Sequence, residues 1–268
     1  QLHYHTESDN TDTYSEKVMK ANIAVFGSMA IAIDQLPAMS LNMQATIDDL
    51  QESFNEDLAS EAGVSKKDWD KALAVFQKEV DALNKEGQDI NDRYIEAVNS
   101  KSAVTSIQKE GKAYNKKVLD LFKYVQDNFV GIVFSSDVVM KHVGYQNNIE
   151  YMDEIIQDLK KDKVNDALDV AYQLNGLCEY NYYLFSPNAA AKIDAHADKA
   201  VENNKWWGND KGYYFTNTKA ATSSLLTKKD GDDVSEEIEV YESARKTQLD
   251  SYKEVLENEI LAMNKMGQ

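Results

Sequence analysis

The chain has 268 residues, 28% of them charged, and a formal net charge of −17. That acidity excludes a nucleic-acid partner, which requires clustered Lys and Arg, and it opposes approach to anionic lipid. Only 2 prolines and 11 glycines occur, where average usage of ~5% would supply roughly thirteen prolines. So few breakers predict an all-α fold: an elongated antiparallel bundle of about seven or eight helices, with one long aromatic loop before the C-terminal helix.

Residues 1–13, QLHYHTESDNTDT, are polar and without period. They read as a flexible spacer ahead of a single helical-bundle domain over 14–268. The stretch resembles the spacer that follows a signal peptide or a lipidated cysteine. The expected setting is therefore extracytoplasmic, secreted or surface-anchored, with a lipid anchor upstream of Gln1. The single cysteine, Cys178, permits no intramolecular disulfide, and its neighbours in LNGLCEYNYY suit a buried thiol.

The first periodic run starts at Ser15 and reaches Leu36, where Pro37 ends or kinks it. Residues 21–47 carry one charge, Asp34, and one proline. A helix apolar all round has no wet face. Its expected place is the centre of the bundle, with Ile23, Val25, Phe26, Met29, Ile31 and Ile33 buried. The alternative is a hydrophobic hairpin that leaves the bundle for a membrane. Each half falls short of the ~20 residues a spanning helix needs, so no transmembrane span is expected.

A second run covers residues 38–59, and Gly63 stops it. Ser65-Lys66-Lys67-Asp68 then caps the next helix. Trp69, Leu73, Phe76, Val80, Leu83, Gly87, Ile90, Tyr94 and Ala97 follow alternating steps of four and three, a heptad seam. Val104, Ile107, Gly111, Tyr114, Val118, Leu121 and Val125 resume it after Asn99-Ser100-Lys101-Ser102. Residues 66–128 are one long helix or a hairpin, and the slipped phase at NSKS favours the hairpin. In that hairpin Gly87 and Gly111 should face each other across a close helix contact.

A fifth helix is expected from Phe134 to Lys160, with Val138, His142, Gln146, Ile149, Met152, Ile156 and Leu159 on one face. A sixth runs from Val164 to Leu184, and Ser186-Pro187 opens a short seventh. Residues 204–234 lose periodicity and form the long loop. The last helix spans Ser235 to Met266, with Ile238, Tyr241, Leu249, Tyr252, Leu256, Ile260 and Met263 along its seam.

Aromatic residues crowd CEYNYYLF and KWWGNDKGYYF. Tyr180, Tyr182, Tyr183, Trp206, Trp207, Tyr213 and Tyr214 form the candidate contact surface, since flat rings with polar edges suit a protein, peptide or carbohydrate ligand. The alternative is that these rings pin the loop onto the bundle. No metal or cofactor site is expected. His3, His5, His142 and His196 share no ligand spacing, and His142 lies on an apolar face. Asp48-Asp49-Leu50-Gln51-Glu52 resembles the Mg²⁺-binding acidic motif of terpenoid synthases, but the second acidic motif is missing. Asp230-Gly231-Asp232-Asp233 does not fit the EF-hand spacing, and no phosphate loop or nucleophile elbow occurs. The expected function is non-enzymatic binding. Membrane activity through residues 21–47 is the first alternative, and an enzyme with an unrecognised site is the second.

Overall fold

The computed structural model describes residues 14–132, 138–174 and 218–267, with the isolated positions 186, 188, 189 and 192. The chain is all-α. In chain order the elements are α1 (Glu16–Asp34), α2 (Gln44–Glu52), α3 (Glu56–Glu61), α4 (Lys66–Asn99) and α5 (Thr105–Phe129). Then come strands β1 (Val130–Ile132) and β2 (Val138–Met140), α6 (Lys141–Lys160), α7 (Val164–Ala171), α8 (Lys219–Leu225) and α9 (Ser235–Met266). The chain folds as two compact units. The first comprises Gln1–Asn42 and Asp81–Asp120, the second Met43–Val80 and Leu121–Gln268, so α4 and α5 contribute to both.

In the first unit, α4 and α5 form the predicted hairpin. Its turn uses Lys101 at φ 57°, and Ser102 N–H closes on the Ala97 carbonyl at 2.8 Å. Ala38, Ile90, Tyr114 and Val118 are the buried core, with Leu41, Leu83 and Ile107 packed against it. Ion pairs Arg93–Glu110 (2.7 Å) and Lys117–Glu86 (2.7 Å) flank the contact on its solvated sides. These exposed pairs add little, ~0–1 kcal/mol each.

α1 begins where the sequence predicts, with Ser15 Oγ accepting from Val18 N–H at 3.4 Å. Its burial is the opposite of the expectation. Ile23, Val25, Phe26, Met29, Ile31 and Ile33 are 55–68% exposed. The apolar seam of the α4–α5 hairpin is occupied instead by the connector after α1, through Ala38, Met39 and Leu41. That leaves no described core face for α1.

In the second unit, α6 and α9 lie antiparallel and α7 and α8 close over one end. Ile155, Ile156, Leu159, Val164, Ala167, Leu168, Ala171, Leu174, Ala221, Leu225 and Tyr241 make one buried cluster. At the other end, Trp69 and Phe76 of α4 are buried, Trp69 stacks on Phe54 (4.6 Å) and Phe76 on Phe129 (5.7 Å).

Four predicted boundaries are corrected. The run over 38–59 is an irregular connector followed by two short helices, α2 and α3, because Asn55 caps Leu58 N–H at 3.0 Å and starts a new helix. The helix expected from Phe134 begins at Lys141, since residues 130–132 and 138–140 pair as an antiparallel ladder. α7 ends at Ala171, and only residues up to 174 of the helix expected to reach Leu184 are described. The loop over 204–234 contains α8, whose Ala221 and Leu225 are buried in the cluster. Tertiary burial overrides a weak local pattern there.

Candidate functional site

Tyr180, Tyr182, Tyr183, Trp206, Trp207, Tyr213 and Tyr214 lie outside the described residues, as do Cys178, His3, His5 and His196. The described part holds three places where polar or apolar groups depart from ordinary packing.

The first is α1. Every described residue from Glu16 to Asp34 except Gly27 is exposed. Ile23 is 63% exposed, Phe26 68% and Ile33 66%. Beyond residue 33, no described large apolar side chain exceeds 51%. Residues 21–33 contain no charge; Lys17 and Lys20 lie at one end and Asp34 at the other. Monomeric soluble proteins scatter apolar residues singly and seldom expose a continuous apolar helix. Most helical stability in proteins comes from tertiary packing of an apolar face, and α1 has no such buried face among its described residues. Its alanines and the Ser15 cap sustain it locally.

The base of α1 is held by two amides. Asn91 Oδ1 accepts from Ala38 N–H and Asn91 Nδ2 donates to the Ala38 carbonyl, both at 3.0 Å. Asn115 Oδ1 accepts from Met39 N–H at 2.8 Å, and Asn115 Nδ2 donates to the Pro37 carbonyl at 3.0 Å. Each side chain thus does for the connector what a neighbouring strand would do. Residues 37–39 lie outside any helix and are partly or fully buried, so their backbone groups need such partners. Asn91 follows seam residue Ile90, and Asn115 follows Tyr114. An amide beside a seam position on each of two helices was the signal available in the sequence. The two glycines serve the same region but do not face each other, which corrects the expectation. A Cβ on Gly87 would meet the Tyr114 ring, and one on Gly111 would meet Pro37.

The second place is a polar seam between α6 and α9. His142 Nδ1 lies 2.8 Å from Glu259 Oε2, Tyr252 O–H donates to Gln146 Oε1 (3.3 Å) and Asn148 Nδ2 donates to Gln248 Oε1 (3.3 Å). Arg245 Nε donates to Asp153 Oδ1 (2.5 Å), and its Nη1 and Nη2 clamp Glu61 (2.6 and 2.9 Å). Those hydrogen bonds hold the Glu61 carboxyl below its ordinary range. Burial first, then the charges of Glu259 and Glu150, push the Tyr252 phenol up. Numbers rise along α6 as they fall along α9, so these pairs fix one antiparallel register.

Ser53 Oγ stands 3.0 Å from His142 Nε2. Serine, imidazole and carboxylate in this order invite a hydrolytic reading. The protons run the other way. Ser53 Oγ donates to the Asp49 carbonyl at 2.5 Å, so towards Nε2 it accepts. That hydroxyl proton is committed to the Asp49 carbonyl rather than offered to the fully buried imidazole. His142 is the satisfied core histidine expected from its apolar face. Glu259 Oε1 and Trp69 Nε1 have no hydrogen-bond partner among the described residues.

The third place is the turn at Asp230–Asp233. Asp230 Oδ1 accepts from Val164 N–H, Asp232 Oδ2 from Lys229 N–H, and Asp233 Oδ1 from both the N–H and hydroxyl of Ser235. These carboxylates cap backbone rather than converge. No group of three or more His, Cys, Asp or Glu suited to a metal occurs among the described residues.

No family model, no curated protein and no solved structure matches this chain.

Proposed function

We propose that this chain is a non-enzymatic protein that acts by putting α1 into a lipid bilayer. The exposure of α1 on all sides supports this reading. A helix that docks in a groove needs one apolar stripe, with the rest of its surface polar. α1 has no polar face along residues 21–33, so a medium that surrounds it fits better than a groove. Fully burying a large apolar side chain is worth ~1.5–3 kcal/mol, so the eight half-exposed ones of α1 represent on the order of 8 kcal/mol. Helical backbone is already satisfied internally, as a bilayer interior requires. α1 has 19 residues, about 28 Å, but no described helix is long and apolar enough to cross a membrane. Partial insertion is the mode that follows. An extracytoplasmic setting, with lipid met from outside the cell, belongs to the same proposal.

The test is flotation with phosphatidylcholine vesicles and release of an entrapped dye, for the native chain and for Phe26→Asp and Ile33→Asp. Native chain should float and the variants should not, at equal helicity and unfolding midpoint. A native chain that stays with the soluble fraction ends the proposal. Concentration-dependent sedimentation lost in the same variants would then assign α1 to contact between copies.

A further inference from the structure

Charge is divided unevenly between the two units. From residue 14 onward the first unit carries nine acidic and nine basic side chains, and only Glu7, Asp9 and Asp12 take it to −3. The second unit holds the other −14. The unit that bears α1 is therefore close to neutral, while most of the acidity lies elsewhere in the chain. Within α1 itself, Lys20 is paired to Glu16 at 2.6 Å, and Lys17 is balanced by Asp34. Membrane-surface helices that select anionic lipid carry rows of Lys and Arg along a polar face. α1 has neither the rows nor the face.

We propose, resting on the membrane reading above, that the lipid partner of α1 is a net-neutral, zwitterionic surface and that anionic lipid weakens attachment. The neutral unit meets a zwitterionic headgroup layer with no Coulomb cost. An anionic layer finds no row of cations in α1, only Lys17 beside the Lys20–Glu16 pair, and it repels the fourteen excess charges of the second unit. That repulsion reaches ~30 Å at about 10 mM salt and is screened to ~8 Å at physiological salt.

The experiment measures the full chain by flotation on vesicles of phosphatidylcholine alone and of phosphatidylcholine mixed with phosphatidylglycerol, at low and at physiological salt. Binding to the mixed vesicles should be weaker by about tenfold or more at low salt, and added salt should close the gap. Binding to phosphatidylcholine should be indifferent to salt and lost in Phe26→Asp. Tighter binding to the mixed vesicles overturns the lipid class and leaves α1 as the membrane element. Equal binding at low salt overturns it as well. No binding to either vesicle overturns the membrane reading and this inference with it.

Discussion

A methyl group on Gly111 would lie 2.5 Å from the carbonyl oxygen of Pro37 and 2.7 Å from its Cβ. The backbone of α5 comes this close to the connector because nothing projects from Gly111. Pro37 cannot retreat, since Asn115 holds its carbonyl and Asn91 holds Ala38 next to it. Gly111→Ala should destabilise by ~1–3 kcal/mol, the usual range for overpacking, against the ~1 kcal/mol helix gain that alanine brings. Gly87→Ala should also destabilise, because its Cβ would lie 2.6 Å from Cζ of the buried Tyr114. Replacing Tyr114 by leucine in the Gly87→Ala background should recover part of that loss. Urea midpoints at constant slope measure all three. An alanine at 111 that raises the midpoint would show that the connector yields.

The two amides predict unequal effects for two changes at one site. Asn91→Ala strips partners from both the N–H and the C=O of Ala38, at ~1–3 kcal/mol for each buried group left unpaired. Asn91→Asp keeps an acceptor for the N–H but sets a carboxylate against the Ala38 carbonyl. Both should lower stability, and both should raise hydrogen exchange at Ala38 relative to Met39, whose N–H answers to Asn115. Uniform exchange at Ala38 and Met39 in the variants would mean that the connector is held as one piece by packing alone.

The α4–α5 hairpin was legible in the sequence because core contact leaves a repeated record. Trp69, Phe76, Val80, Ile90, Tyr114, Val118 and Val125 fall on the predicted seam, and each is buried. α1 departs from expectation for a physical reason. An all-round apolar helix lacks a wet face whether its surroundings are protein or lipid, so periodicity does not choose between them. What decides is whether a neighbour is free to cover it, and the hairpin's seam is filled by Ala38 and Leu41. The ladder at residues 130–132 and 138–140 is too short to leave an alternating pattern. Asn91 and Asn115 stand beside seam residues Ile90 and Tyr114, but the pattern does not say what they bind, because an amide reads as ordinary helix surface until a non-helical segment lies across it.

Acid should weaken the second unit through Glu237 and Glu61. Burial pushes the Glu237 carboxyl up, but hydrogen bonds from Lys228 and Ser224 outweigh it and leave the group below its ordinary 4.5. A group lowered on folding contributes stability that is present above its unfolded value and lost as pH falls through the folded one. The unfolding midpoint should therefore hold from neutral pH to about 5 and decline below it. Glu237→Gln should cost stability at neutral pH and flatten the decline. An acid limb unchanged in that variant would assign the loss to other carboxylates. Tyr252 has the opposite sign: its raised phenol contributes fully below the ordinary value of 10 and is lost as pH climbs above it.

His142 and Glu259 offer a test of whether the polar seam is structural. Both are at most 1% exposed, so removing His142 leaves the Glu259 carboxyl buried without a hydrogen bond among the described residues, and removing Glu259 takes the partner from Nδ1 of a buried imidazole that keeps only Ser53. A buried polar group left without its hydrogen bond costs ~1–3 kcal/mol, and more where the group is charged. His142→Ala and Glu259→Ala should each fall in that range, and the double variant should cost less than the two together, with a coupling of ~0.5–3 kcal/mol. Ser53→Ala removes only the acceptor at Nε2 and one bond to Asp49, so it should cost about 1–2 kcal/mol, near that of a lost hydrogen bond or two. The hydrolytic reading of the same three residues predicts otherwise. It requires ester cleavage by the native chain, abolished in Ser53→Ala at unchanged stability. The proton that Ser53 gives to the Asp49 carbonyl argues that no such activity will be found, because a serine oriented towards its own helix has none left to hand to the imidazole.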